Sequence, residues 1–176
     1  QAKLYVFLTA WYLAPDQRER LLAATRGSTR IWCYAPGYQQ PDGTSLEAMR
    51  ELTGFQLAKV TPVKALATLT EVGKKRGFHE SFGVDASINP LFAAADATAD
   101  ETLATYPDGS AAIALRRTAD GLSLFVGVPG LTSELLRLAA REGGVHLFTQ
   151  QDCNVYANGP YLVLHAAQDG PLELDT

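Results

Sequence analysis

Residues 3–38, KLYVFLTAWYLAPDQRERLLAATRGSTRIWCYAPGY, constrain the fold more than any other stretch of the chain. The apolar run Leu4–Leu8 has the Val, Phe and Tyr content of a buried strand. Pro15 follows, with Asp16 and Glu19 in what would be a first helical turn. Pro suits that turn because its missing N–H has no helical partner there, and the acids face the positive end of the helix dipole. Leu21, Leu22 and Thr25 continue the helical face, and Gly27 is placed to close it in a left-handed cap. A second buried run, Ile31–Ala35, ends at Pro36-Gly37. Strand, helix and strand over about thirty residues make one parallel βαβ unit with a right-handed crossover.

The remaining chain reads as shorter elements. Pro41-Asp42-Gly43 is a turn, and a helix capped by Thr44 or Ser45 follows, with Leu46, Met49 and Leu52 on one face, Glu47 near a capping-box position and Gly54 at its end. Residues 55–72 predict short strands broken by Pro62. Residues 73–90, rich in Gly and charge, predict a long surface excursion. SAAIALRR and LSLFVGVP flank Thr118–Gly121 as an antiparallel hairpin. The clearest helix is Thr132–Glu142, with Leu131, Leu135 and Leu138 as its stripe and Gly143-Gly144 as its stop. Short strands are expected at Val145–Phe148, Asn154–Ala157, Tyr161–His165 and Leu172–Leu174. The 176 residues are 47% hydrophobic, enough for one domain with a real core. These elements predict a mixed, largely parallel sheet in an α/β layered domain with added antiparallel hairpins.

YVFLTAWYL, APDQRERL and RIWCYAPGY, in that order, resemble the middle of the trimerisation domain of family-42-type beta-galactosidases, and GVHLFTQQDCNVYANGPYLVLHA resembles the segment that closes it. The likeness runs from about Lys3 to Leu174. It implies a flavodoxin-like, three-layer relative of the class I glutamine amidotransferases, one domain over residues 1–176. It also implies a non-catalytic oligomerisation role in a bacterial glycoside hydrolase, with the parent's other domains and further copies of the chain as partners. The family carries a strand–helix segment before the position of Lys3. The chain opens Gln-Ala without an initiator Met, and we expect an excised piece lacking that segment, with Leu4–Leu8 left as an edge.

Candidate chemistry is sparse. The amidotransferase relatives hold a Cys on a tight strand-to-helix turn; here Cys33 lies inside the strand, with Pro36, Gly37 and Tyr38 at the turn, so the Gly-x-Cys-x-Gly elbow is absent and Cys33 reads as a core thiol. Cys33 and Cys153 form no disulfide framework. His146 and His165 sit in apolar strand text without a ligand pattern, and Asp85, Asp96 and Asp100 read as solvated acids rather than a glycosidase pair. No catalytic residue, metal or cofactor is expected. Trp11 and Tyr12 after the first strand and Tyr38 after the second are candidates for an interface or for stacking on a carbohydrate, and His79-Glu80-Ser81 is the one patch with base, acid and hydroxyl adjacent. A divergent amidotransferase-like hydrolase and a carbohydrate-binding module are the alternative functions. A net charge of −4 and no basic cluster larger than Lys74-Lys75-Arg76 argue against nucleic acid, and no apolar run approaches the ~20 residues of a membrane helix.

Overall fold

A computed structural model describes residues 2–61 and 63–175. The opening unit forms as its sequence dictates. Strand β1 (Leu4–Phe7), helix α1 (Pro15–Ala24) and strand β2 (Ser28–Cys33) follow in order, and β1 lies parallel to β2 with Leu4 opposite Thr29 and Phe7 opposite Trp32. Pro15 opens α1, and the Gln17 side chain accepts from the Ala14 N–H at 2.9 Å. The helix closes at Thr25, earlier than expected. Gly27, at φ 77°, lies in the turn beyond, where its N–H donates to the Asp120 carbonyl. Strand β2 also begins before the apolar run, because Ser28, Thr29 and Arg30 are buried along with Ile31 and Trp32.

A two-residue hairpin, β3 (Gln39–Gln40) and β4 (Gly43–Thr44), frames the Pro41-Asp42 turn. Helix α2 (Leu46–Thr53) is capped by Ser45, whose hydroxyl accepts from the Ala48 N–H at 3.0 Å, and Gly54 ends it in the left-handed region. With Ser45 as cap, Glu47 stands one position short of a capping box and pairs with Arg50 instead. Strands β5 (Leu57–Val60) and β6 (Lys64–Leu69) follow; the break assigned to Pro62 lies outside the described residues. Helix α3 (Glu71–Lys75) and strand β7 (Phe82–Ser87) replace most of the expected surface excursion. Then come β8 (Leu91–Ala94), β9 (Thr102–Thr105), β10 (Ala111–Thr118), β11 (Gly121–Val126) and α4 (Ser133–Glu142), with Thr132 as the cap of α4. The hairpin β12 (Cys153–Asn158) and β13 (Tyr161–Ala166) ends the set. Val145–Phe148 and Leu172–Leu174 are not strands. Val145 N–H returns to the Ala140 carbonyl at the end of α4, and the backbone N–H groups of Glu173 and Asp175 donate to the Gln151 side-chain oxygen and the Phe148 carbonyl, so no ladder forms.

Seven strands form one mixed sheet in the order β1-β2-β11-β10-β9-β6-β7. Only β1/β2 and β2/β11 are parallel; the other four pairings are antiparallel. The expectation of a largely parallel sheet therefore fails. A tight turn at Thr118–Gly121 allows only antiparallel neighbours, whereas a parallel pair needs a crossover, and α1 is the helix that joins two adjacent parallel strands. Among the described residues strand β1 is an edge of the sheet, with Val6 exposed on it and Leu8 exposed just beyond it.

Alternate residues of a strand face opposite ways, and β11 shows what each face meets. Leu122, Leu124 and Val126 join Ile31 and the α4 residues Leu135, Leu138 and Ala139. Phe125 joins Ala114, Met49 of α2, Phe55 and Phe92. Helix α4 thus covers one face of the sheet centre and α2 the other. An ion pair between Arg18 and Glu51 at 2.9 Å ties α1 to α2. Trp32 is fully buried, with Phe7 stacked 4.3 Å from it; burying a ring of this size contributes about 2–3 kcal/mol.

Candidate functional site

Three parallel strands share a carboxyl-end edge, and the chain leaves them in diverging directions. From β2 it passes through Tyr34–Tyr38 towards α2 on one face. From β11 it passes through Val128–Leu131 into α4 on the other. The gap where outgoing connections part is where an open α/β sheet forms a crevice. A cavity of about 560 Å³ lies there, lined by Leu8 and Trp11 after β1, Cys33 and Tyr34 at the end of β2, Ile88 after β7, and the Val128–Leu131 turn.

Tyr34 sets the shape of this site. Its φ of 62° makes it the one non-glycine residue with positive φ among the described residues. For a bulky side chain that conformation is strained. It is held by its N–H to the Val126 carbonyl at 2.8 Å and by its hydroxyl, which donates to the Pro90 carbonyl at 2.6 Å. The ring meets Trp11 edge-on at 6.1 Å and Phe92 at 5.7 Å. Burial, with a smaller effect from Tyr38, raises the phenol's pKa and keeps it neutral.

Cys33 forms part of the cavity wall, so it is a thiol beside open space rather than one sealed in the core. Burial pushes it up to about 11, away from the thiolate a nucleophile needs. Along the chain the next helix begins only at Leu46, so the turn after Cys33 does not run straight into a helix as a nucleophile elbow does.

The sequence-predicted residues separate in space. Trp11, 41% exposed, stands at the cavity. Tyr12 does not line it; that exposed residue forms a backbone bridge with Gln39. Tyr38 packs edge-on against Phe92 at 4.8 Å beneath the Lys59 ammonium, and hydrogen bonds with Lys59 and Thr44 lower its pKa. His79 is exposed, with its ring Nδ1 2.7 Å from Glu134 in the first turn of α4 and its N–H on the same carboxylate; Glu80 is exposed, and neither lines the cavity. Asp85 pairs with Lys64 and Asp96 with Arg116, while His146 packs edge-on against Phe148. Among the described residues, no group of three His, Cys, Asp or Glu converges on a metal position. Among the described residues no helix is long and apolar enough to cross a membrane. Tyr34, Ile88 and Val128 were missed as site residues. The usable signal was that Pro36-Gly37 and Pro129-Gly130 both end strands that prove to be parallel neighbours.

No protein-family model matches the sequence, and no curated protein matches it. Solved structures do. The beta-galactosidase from Rahnella sp. R3 superposes with a TM-score of 0.61 at 14% identity, over 87% of this chain and 25% of that one. The beta-galactosidase from Bacillus circulans sp. alkalophilus gives 0.58 at 16% identity, over 87% and 25% of the two chains. A catalytic mutant of a GH42 beta-galactosidase from G. stearothermophilus gives 0.60 at 15% identity, over 94% and 25%. At these identities the likeness is one of fold. The chain spans about a quarter of the length of those proteins, and its fold fits a domain of a GH42-like protein.

Proposed function

We propose that this chain is a non-catalytic architectural domain of a glycoside hydrolase of the beta-galactosidase type, making contacts within or between subunits. The amidotransferase-like, flavodoxin-type ancestry belongs to the same reading. The observation that carries it is Tyr34. A strained turn at a strand end is where hydrolases present a nucleophile. Here the strained residue is a neutral tyrosine whose hydroxyl is already bonded to a carbonyl. Cys33 beside it has its pKa raised away from the thiolate, and the chain leaving β2 enters no helix before Leu46. The fold likeness to quarter-length parts of beta-galactosidases supplies the context, and the β1 edge, with Val6 exposed, supplies a surface suited to contact.

The test is an assay of the purified chain against glutamine, p-nitrophenyl esters and p-nitrophenyl glycosides. Turnover that disappears in Cys33→Ala would defeat the reading. Sedimentation equilibrium over a wide concentration range tests association: we expect a homo-oligomer, and a monomer at the highest concentration sinks that part.

A further inference from the structure

We propose that the strand-end cavity is a binding site for a neutral, apolar small molecule carrying a flat aromatic ring, with Trp11 as its contact ring. The inference does not depend on the parent's identity. Four observations meet at one place. The volume, about 560 Å³, is that of a small-molecule site rather than a packing defect. It lies where the connections from β2 and β11 diverge to opposite faces, the position at which α/β sheets bind ligands. The backbone at its wall is strained at Tyr34, and strain of this kind collects at functional sites. Trp11, 41% exposed, stands edge-on to Tyr34 and presents part of its ring to the cavity.

The wall chemistry selects the ligand class. Leu8, Trp11, Ile88, Val128 and Leu131 are apolar, and no charged side chain lines the cavity. An anion or a cation entering it would lose hydration without gaining a counter-charge. The Tyr34 hydroxyl is already engaged with Pro90, and Cys33 is a weak, neutral donor. A sugar would bring several hydroxyls to a wall with almost nothing to receive them, and each unpaired hydroxyl costs about 1–3 kcal/mol. A neutral aromatic molecule meets neither penalty and gains the burial of its own surface.

The test uses N-phenyl-1-naphthylamine, a neutral apolar fluorophore, titrated into the whole chain. The expected result is saturable one-to-one binding with transfer from tryptophan, weakened about tenfold or more in Trp11→Ala and Leu8→Asp. Both positions are partly exposed, Leu8 at 58%, so neither change empties the core. Tyr161→Ala, on a 75% exposed tyrosine of the β12–β13 hairpin, controls for adsorption to surface apolar groups and leaves binding unchanged. The proposal is overturned if Trp11→Ala and Leu8→Asp bind like the parent chain. It is overturned equally if Tyr161→Ala removes the signal, or if galactose displaces the probe. Probe binding that fades as protein concentration rises would give the cavity to a second copy of the chain and would also overturn it.

Discussion

Arg116 is the residue whose removal tests the packing argument most sharply. It sits on β10 and reaches three separate segments. Its Nε and Nη2 grip both Glu101 oxygens at 2.7 and 2.8 Å, and its Nη1 meets Asp96 at 2.9 Å and the Gly54 carbonyl at 2.8 Å. The guanidinium carbon lies 4.3 Å from the centre of the Phe55 ring. Arg116→Met keeps an apolar stem over Phe55 but removes the guanidinium from two carboxylates and from the Gly54 carbonyl, leaving Glu101 the Thr98 N–H and Asp96 the Gln56 N–H. Breaking a largely buried pair costs about 3–5 kcal/mol. Glu101 is 21% exposed at its side chain, which brings the expected loss to about 3 kcal/mol and the fall in Tm to about 6–12 °C.

The same contact predicts a pH signature. Glu101 is held down to about 2, chiefly because Arg116 donates to it; burial opposes this and the Thr98 N–H adds to it. A carboxylate held below its unfolded value of about 4.3 gives its full stabilisation above that value and loses it as pH falls towards 2. At about 1.4 kcal/mol per pKa unit the ceiling is ~3 kcal/mol, and solvent screening reduces it to about 2. More than half is gone by pH 3. Urea unfolding followed by tryptophan fluorescence at pH 7, 4.5 and 3 is the assay. The gap between the parent chain and Arg116→Met narrows as pH falls. A gap of the same size at pH 3 and pH 7, or a Tm change under about 2 °C at pH 7, refutes the reasoning.

Three further expectations are open to measurement. Gly73→Ala, which in an ordinary helix interior stabilises by about 1 kcal/mol, here destabilises by about 2 kcal/mol, because an added Cβ would collide with the Leu103 backbone carbonyl; a raised Tm would show that α3 can move away from β9. Cys33, pushed up to about 11 by burial, is alkylated slowly by iodoacetamide at pH 7.5 and faster as pH nears 11, read by peptide mass spectrometry, and Cys33→Ala costs on the order of 1 kcal/mol; rapid labelling at pH 7.5 contradicts this. Tyr156→Ser with Tyr161→Ser changes the isolated chain's Tm by less than about 2 °C, since both rings are exposed and the hairpin's main packing is between its own strands; a large loss would mean the hairpin packs on the body.

The legible parts of the fold were those whose signals are local. Ser45 and Thr132 announce their helices through hydroxyl caps, Gly54 closes one, and Thr118–Gly121 can make little but a hairpin. Sheet order was not legible, because the insertion of β11 beside β2 joins residues far apart in sequence, Gly121 with Ser28 and Val126 with Cys33. Strand β7 was hidden for a different reason. It is an edge with Val84 and Asp85 exposed, so its residues carry the polarity and glycine of a loop. Conversely, Val145–Phe148 has strand composition but no partner strand. At the site, Trp11 could be found as an aromatic after a strand. Tyr34 could not, because its importance lies in a backbone angle.

The contacts around that angle also explain how a strained position persists. A left-handed conformation costs a bulky residue about 1–2 kcal/mol. The hydroxyl bond to Pro90 returns about 1 kcal/mol, and each edge-on ring contact, to Trp11 and to Phe92, returns about 0.5–1.5 kcal/mol. The turn is therefore offset by packing that the same side chain supplies. Replacing Tyr34 with a small nucleophile would remove those contacts and keep the strain. A catalytic elbow makes up such a deficit with a helix N-terminus and oxyanion donors, and the chain after β2 supplies no helix before Leu46. On this account the strain and the aromatic wall have one cause: Tyr34 occupies the strand end and itself supplies the contacts that hold it there.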